Sequence, residues 1–313
     1  MKININNLRE TMSRAGAILT VLSLALVIAS GCMTGGGDAA RIDVAADIVP
    51  IAFVCRAVGG EMVEVETLVP AGASPHSYEL STGQMRFLDG ADVLVTVGMG
   101  LTPWAEDIFA KIDNDDMIKV VAGDIIPQDM LIEANGTHAG EDEGGTGETG
   151  KEGKSQGFYD PHVWLDPDLL VYVVEAVRDA FVEADAENAS IYRQNAGRYL
   201  EELAVLDGEI AEGISSLSDR KFIAFHSSWT YFARRYGLEQ VGVIEEQPGK
   251  EPSAGEIAEL IDLVRSQGVR IVFAEPQFNP RAAEAVAEES GGDVKVAVLD
   301  PLGDPEDPEA DTY

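Results

Sequence analysis

Short apolar runs rich in Val and Ile alternate with amphipathic helical stretches along most of this chain, and that alternation limits the fold more than any other feature. Strand runs are predicted at residues 42–47, 63–69, 92–97 and 118–121, with helices at about 48–58, 82–88 and 103–112 between them. A second series follows, with strands at 222–225, 241–244, 270–273 and 294–299 and helices at 229–236, 253–266 and 280–289. Parallel strands buried on both faces read as continuous apolar runs, and each needs a crossover helix to reach the next. The fold class is therefore α/β, built from βαβ units around mainly parallel sheets.

The two series are separated by two long helices, at 168–184 and about 189–217. The second carries Ile191, Leu200, Leu203, Leu206, Ile210 and Ile214, mostly at helical spacing, and reads as a stiff connector between two lobes. The expected division is an N-terminal lobe over 42–187, a linking helix over 188–217 and a C-terminal lobe over 218–313. No closing helix is predicted after the last strand, so the second lobe reads as truncated. Residues 135–157 hold Gly, Glu, Thr and Lys with almost nothing apolar, and a disordered acidic loop is expected there.

The first 31 residues have the layout of an export signal. Lys2, Arg9 and Arg14 precede an apolar stretch at 15–29 that ends in Ala29-Ser30-Gly31-Cys32. Cys32 follows a small residue and resembles the lipidated cysteine of exported lipoproteins, although Ala29 stands where Leu, Val or Ile is usual. The alternative is a leader retained as a membrane anchor. Either way the body is expected outside the cytoplasm, tethered through a Gly-rich stretch at 32–41. The only other cysteine, Cys55, sits in an apolar helical pattern and reads as core. A formal charge of −33 leaves no basic face for nucleic acid.

The chain has four histidines. His138 falls in the acidic loop. His76 follows a strand and a Pro70-Ala71-Gly72 break, His162 stands in Asp160-Pro161-His162-Val163-Trp164, and His226 directly follows a strand. Asp300 also directly follows a strand. Ligands of open α/β sheets bind beyond the carboxyl ends of the strands. Three imidazoles with a carboxylate to complete four-coordination make a site for a borderline transition metal. Glu79, three residues past His76, is either an orienting partner for a ligand ring or a solvated acid. Asp160 and Asp166 read as caps, and Trp164 and Trp229 as packing residues.

Four segments carry a family resemblance: Ser74-Pro75-His76-Ser77-Tyr78-Glu79, Asp160-Pro161-His162-Val163-Trp164-Leu165-Asp166-Pro167, Phe225-His226-Ser227-Ser228-Trp229 and Leu299-Asp300-Pro301-Leu302-Gly303. In order and spacing the chain resembles the zinc- and manganese-binding lipoproteins of ABC transporters, the cluster A-I solute-binding proteins. That resemblance implies two α/β lobes joined by one long helix, with a metal in the cleft between them. It also implies His76, His162, His226 and Asp300 as ligands, import of Zn2+ through an ABC permease, a lipid anchor on Cys32 and a monomer. His226 favours the zinc branch, since Mn2+ carriers commonly have Glu at that position. The departures are Ser227, where Asp often follows the His, and an acidic loop where zinc carriers often have a His-rich one. A manganese or iron carrier is the alternative on the same fold. A secreted zinc hydrolase and a metal-dependent adhesin are the alternatives from other classes. Against the hydrolase, four protein ligands leave no open water position, and no His-Glu-x-x-His motif is present. The expectation is therefore not an enzyme.

Overall fold

The computed structural model describes residues 41–109, 112, 114–134 and 159–303. The export leader, Cys32, most of the tether and the acidic loop lie outside the described residues. Two four-stranded sheets form, and all the strand pairs within them are parallel. The first contains β1 (Ile42–Ala46), β2 (Val63–Thr67), β3 (Val93–Thr96) and β4 (Ile118–Val121), in the order β2-β1-β3-β4. The second contains β5 (Lys221–Ala224), β6 (Glu239–Val243), β7 (Ile271–Ala274) and β8 (Lys295–Val298), in the order β6-β5-β7-β8. The two orders are the same. In each sheet the chain first builds outward on one side of its first strand, then crosses to the other side. The crossover creates a switch point between β1 and β3, and another between β5 and β7, where a crevice opens beyond the strand ends.

Local chemistry accounts for the helices. In the first lobe these are α1 (Val49–Gly59), α2 (Thr82–Gly90), α3 (Pro103–Phe109) and α4 (Ala122–Ile125). Pro50 sits in the first turn of α1, where a missing N–H costs nothing, and Gly60 ends the helix at φ 58°. Ser81 caps α2 through a capping box with Gln84. Asp166 caps α5 (Pro167–Ala184) by accepting from the Asp168 N–H, with Pro167 in the first turn, so its reading as a cap holds. The long helix α6 (Ala189–Ser215) has 27 residues and runs about 40 Å at 1.5 Å per residue. In the second lobe stand α7 (Thr230–Tyr236), α8 (Ala254–Gln267) and α9 (Arg281–Ser290). Ser253 and Glu256 form a second capping box on α8. Among the described residues no helix is long and apolar enough to cross a membrane.

The period-2 alternation of β5 shows how the second sheet is filled. Ile223 and Phe225 join a cluster with Val264, Val272 and Val286 on the side of α8 and α9. Phe222 and Ala224 point the other way and join the main core. That core also contains Val44 and Val95 of the first sheet, Trp164, and Leu169 and Phe181 of α5. One apolar core therefore runs from the first sheet to the second, and Cys55 is buried within it.

Candidate metal centre

Three loops converge at the edge of this core. The loop after β2 carries His76. It folds on itself through Ser77 N–H and Tyr78 N–H, both donating to the Ser74 carbonyl. Two side chains pin it from outside. Trp104 Nε1 of α3 donates to the Pro75 carbonyl at 2.8 Å. Tyr78 donates to Gln84 Oε1 at 3.1 Å, while the same glutamine donates to the Leu68 carbonyl at 2.7 Å. The Ser-Pro-His motif is thereby held in one conformation and His76 is half-buried.

His162 is set by its own motif. Asp160 Oδ1 accepts from the His162 backbone N–H at 2.9 Å and lies 2.8 Å from its Nδ1. A 3-10 turn at Val163–Leu165 follows and places Trp164 beside the imidazole, ring centres 5.2 Å apart. Trp164 is buried, and its Nε1 donates to the Pro301 carbonyl at 2.6 Å, tying this turn to the loop after β8.

His226 stands two residues beyond β5, at the second sheet's switch point. Glu275 directly follows β7, on the other side of that point. Glu275 Oε1 accepts from the His226 backbone N–H and from Ser228 Oγ, both at 3.4 Å. Its Oε2 lies 2.7 Å from His226 Nδ1, a charge contact whose angles are not those of a hydrogen bond. The Glu275 side chain is fully buried. Phe278 stacks on Phe225 at 5.0 Å and closes the wall behind the ring. Glu245, also buried, lies near enough to interact electrostatically; burial holds its carboxyl above the usual range, and an N–H bond from Gly249 partly offsets this.

The three imidazoles meet. Each offers a nitrogen, and these atoms lie within 4.8 Å of one another. Ring centres are 5.8 Å apart for His76 and His162, 5.9 Å for His76 and His226, and 5.2 Å for His162 and His226. The closest approach is Nε2 to Nε2 between His162 and His226, at 3.3 Å. The two Nε2 atoms face each other, and each of these rings has a carboxylate oxygen beside its Nδ1. Two nitrogens held tetrahedrally at about 2.0–2.1 Å from zinc stand about 3.3–3.4 Å apart, so this spacing fits one shared cation.

Asp300 and Glu79 are placed differently. Asp300 is not in the group of converging ligand atoms; its Oδ1 accepts from Gln277 Nε2 at 2.7 Å and from the Leu302 N–H at 2.9 Å. Glu79 is exposed and is not in the group. The carboxylates that reach the rings are instead Asp160 and Glu275. Asp160 was visible in the sequence only as a cap. Glu275 had no local signal at all, because it reaches His226 through the pairing of β7 with β5.

Comparison with known proteins points the same way. Residues 44–313 match the family described as zinc-uptake complex component A, periplasmic. The chain is 30% identical over 284 residues to the zinc-binding lipoprotein AdcA of Streptococcus pneumoniae serotype 4, covering 91% of this chain and 54% of that protein. It thus spans about half the length of that relative. It is 28% identical to the high-affinity zinc uptake system protein ZnuA of Paracoccus denitrificans, covering 93% of both chains. A crystal structure of ZnuA superimposes with a TM-score of 0.70 at 33% identity, covering 84% of this chain and 92% of that one.

Proposed function

The chain belongs to the periplasmic zinc-uptake component A family, and on that premise we propose that it captures Zn2+ outside the cytoplasm and delivers it to an ABC permease for import. The observation that carries this reading is the 3.3 Å approach of two imidazole nitrogens, each ring backed by a buried carboxylate, with a third imidazole beside them. A nitrogen-rich donor set suits zinc better than manganese, which takes more oxygen. His76, His162 and His226 are the nitrogen ligands, and Asp300 is the fourth donor, recruited when the cation arrives. The metal is cargo. The role is binding and handover, with a lipid on Cys32 holding the protein at the membrane and the monomer as the working unit.

Calorimetric titration of metal-stripped protein with zinc tests this. The wild type is expected to take a single ion. His162→Ala is expected to lose more affinity than the ~10–100-fold that removing an outer-shell partner costs. Equal affinities in the two proteins would overturn the assignment.

A further inference from the structure

Gln277 stands two residues past Glu275 and lines the cavity shared by the three histidines. Its amide makes no hydrogen bond to them. The nitrogen donates to Asp300 Oδ1 at 2.7 Å, and the oxygen is buried in the wall without a hydrogen-bond partner. Such an orphaned oxygen is costly, and turning the amide over would not help. It would set the oxygen against a carboxylate oxygen, two acceptors in contact. Asp300 therefore dictates the amide's orientation, and the amide in turn holds Asp300. Asp300 is among the residues that line a neighbouring cavity with Trp229 and Phe232, and is not among those that line the histidine cavity; Pro301 and Leu302 line both.

We propose that Gln277 is a positioning residue of the metal site. It holds Asp300 off the histidines, and cation capture exchanges the Gln277–Asp300 hydrogen bond for a carboxylate–metal contact. This rests on the reading that the site takes zinc with Asp300 as its fourth donor. The consequence is a tuned affinity. A hydrogen bond to a charged group opposes the recruitment of Asp300, so the ion is held less tightly than four free donors would hold it. A carrier that must surrender its cargo gains a faster release. The Leu302 N–H donates to the same oxygen, so this local bond also resists a turn of the carboxylate toward the ion.

The experiment is a double-mutant cycle on the full chain, read by zinc competition with a chromophoric chelator and by zinc release in stopped flow. Gln277→Met keeps the side-chain volume and removes the donor; Gln277→Ala serves if the methionine variant does not fold, as judged by thermal unfolding without metal. Either is expected to tighten zinc binding about tenfold and slow release by a similar factor, the usual size of a charge-assisted hydrogen bond. In an Asp300→Ala background, itself weaker than wild type, the same change is expected to do nothing. Unchanged or weakened binding in the single variant overturns the proposal. So does an equal change in both backgrounds, which would make Gln277 a direct contact of the ion, and so does an Asp300→Ala affinity equal to wild type. Failure of the wild type itself to bind zinc would instead sink the underlying assignment, and that arm is read first.

Discussion

Asp47 occupies in the first sheet the station that His226 approaches in the second. It directly follows β1, is fully buried, and accepts from the N–H of Ile48 at 2.8 Å and of Val97, just past β3, at 2.7 Å. Burial pushes its carboxyl up from an ordinary 3.8 to about 7, with those two N–H groups partly opposing the rise. Between these values the folded chain keeps a proton that the unfolded chain releases. Stability from this group is therefore full below about pH 4 and is lost as pH rises toward 7. At about 1.4 kcal/mol per pKa unit the loss is roughly 4 kcal/mol. Asp47→Asn cannot ionise, so the wild type should lose stability relative to it across this window. Urea unfolding of both proteins at pH 4.5 and 7.5 measures the difference, and parallel pH profiles would refute it. At this same scale the candidate site was only half legible. His76, His162 and His226 stood out because histidine is scarce and each lies in a short motif, two of them past a strand end and His162 after the acidic loop. Glu275 and Gln277 did not, because Glu275-Pro276-Gln277 carries no chemical signature until β7 is laid beside β5 and β8. Asp300 was legible by position, but its bond to Gln277 was not.

Elements were the most legible level. Strand and helix periodicities located all eight strands of the two sheets to within a residue or two of their observed ends, because each is a short buried run between turn residues. The short helix α4 (Ala122–Ile125) and the 3-10 turn at Val163–Leu165 left no periodic trace, being too short to show one. Nor does periodicity reveal what an element holds far away in the sequence. Helix α7 reads as a plain amphipathic segment, yet its Tyr231 hydroxyl donates to the Asp160 carbonyl at 2.8 Å and accepts from the Ile132 N–H at 3.0 Å. It thus ties Ile132 to Asp160, the residue at the start of the segment that presents His162. Tyr231→Phe leaves both backbone groups without that partner, at a cost of about 1–3 kcal/mol. Denaturant unfolding should show the loss, and zinc affinity should fall with it because the Asp160 turn loosens. A variant as stable as wild type would show that the tie contributes nothing.

At the scale of the molecule, the two sheets are joined by more than α6. The main core passes from Val44 and Val95 through Trp164 to Phe222 and Ala224 without a polar break. Polar ties reinforce it. Trp164 meets Pro301, Arg234 donates to the Met130 carbonyl at 2.8 Å, and Arg235 lies 3.2 Å from Asp166 and 2.6 Å from Asp207 while also pairing with Asp168. Domain closure of the hinge type needs a few backbone positions that absorb large torsional changes and an interface that can part. Here parting would expose a shared apolar core and take Asp166 and Asp168 away from Arg235. Small rearrangements of side chains and loops, such as the exchange at Asp300, remain available. The lobes should therefore keep their separation when zinc binds. Solution X-ray scattering of stripped and zinc-loaded protein at matched concentration is expected to give superimposable curves, while, on the proposed zinc reading, thermal unfolding shifts upward because the ion favours the folded form. A clear decrease in radius of gyration on loading would mean that the core opens, and that the handover signal is a lobe movement rather than a local one.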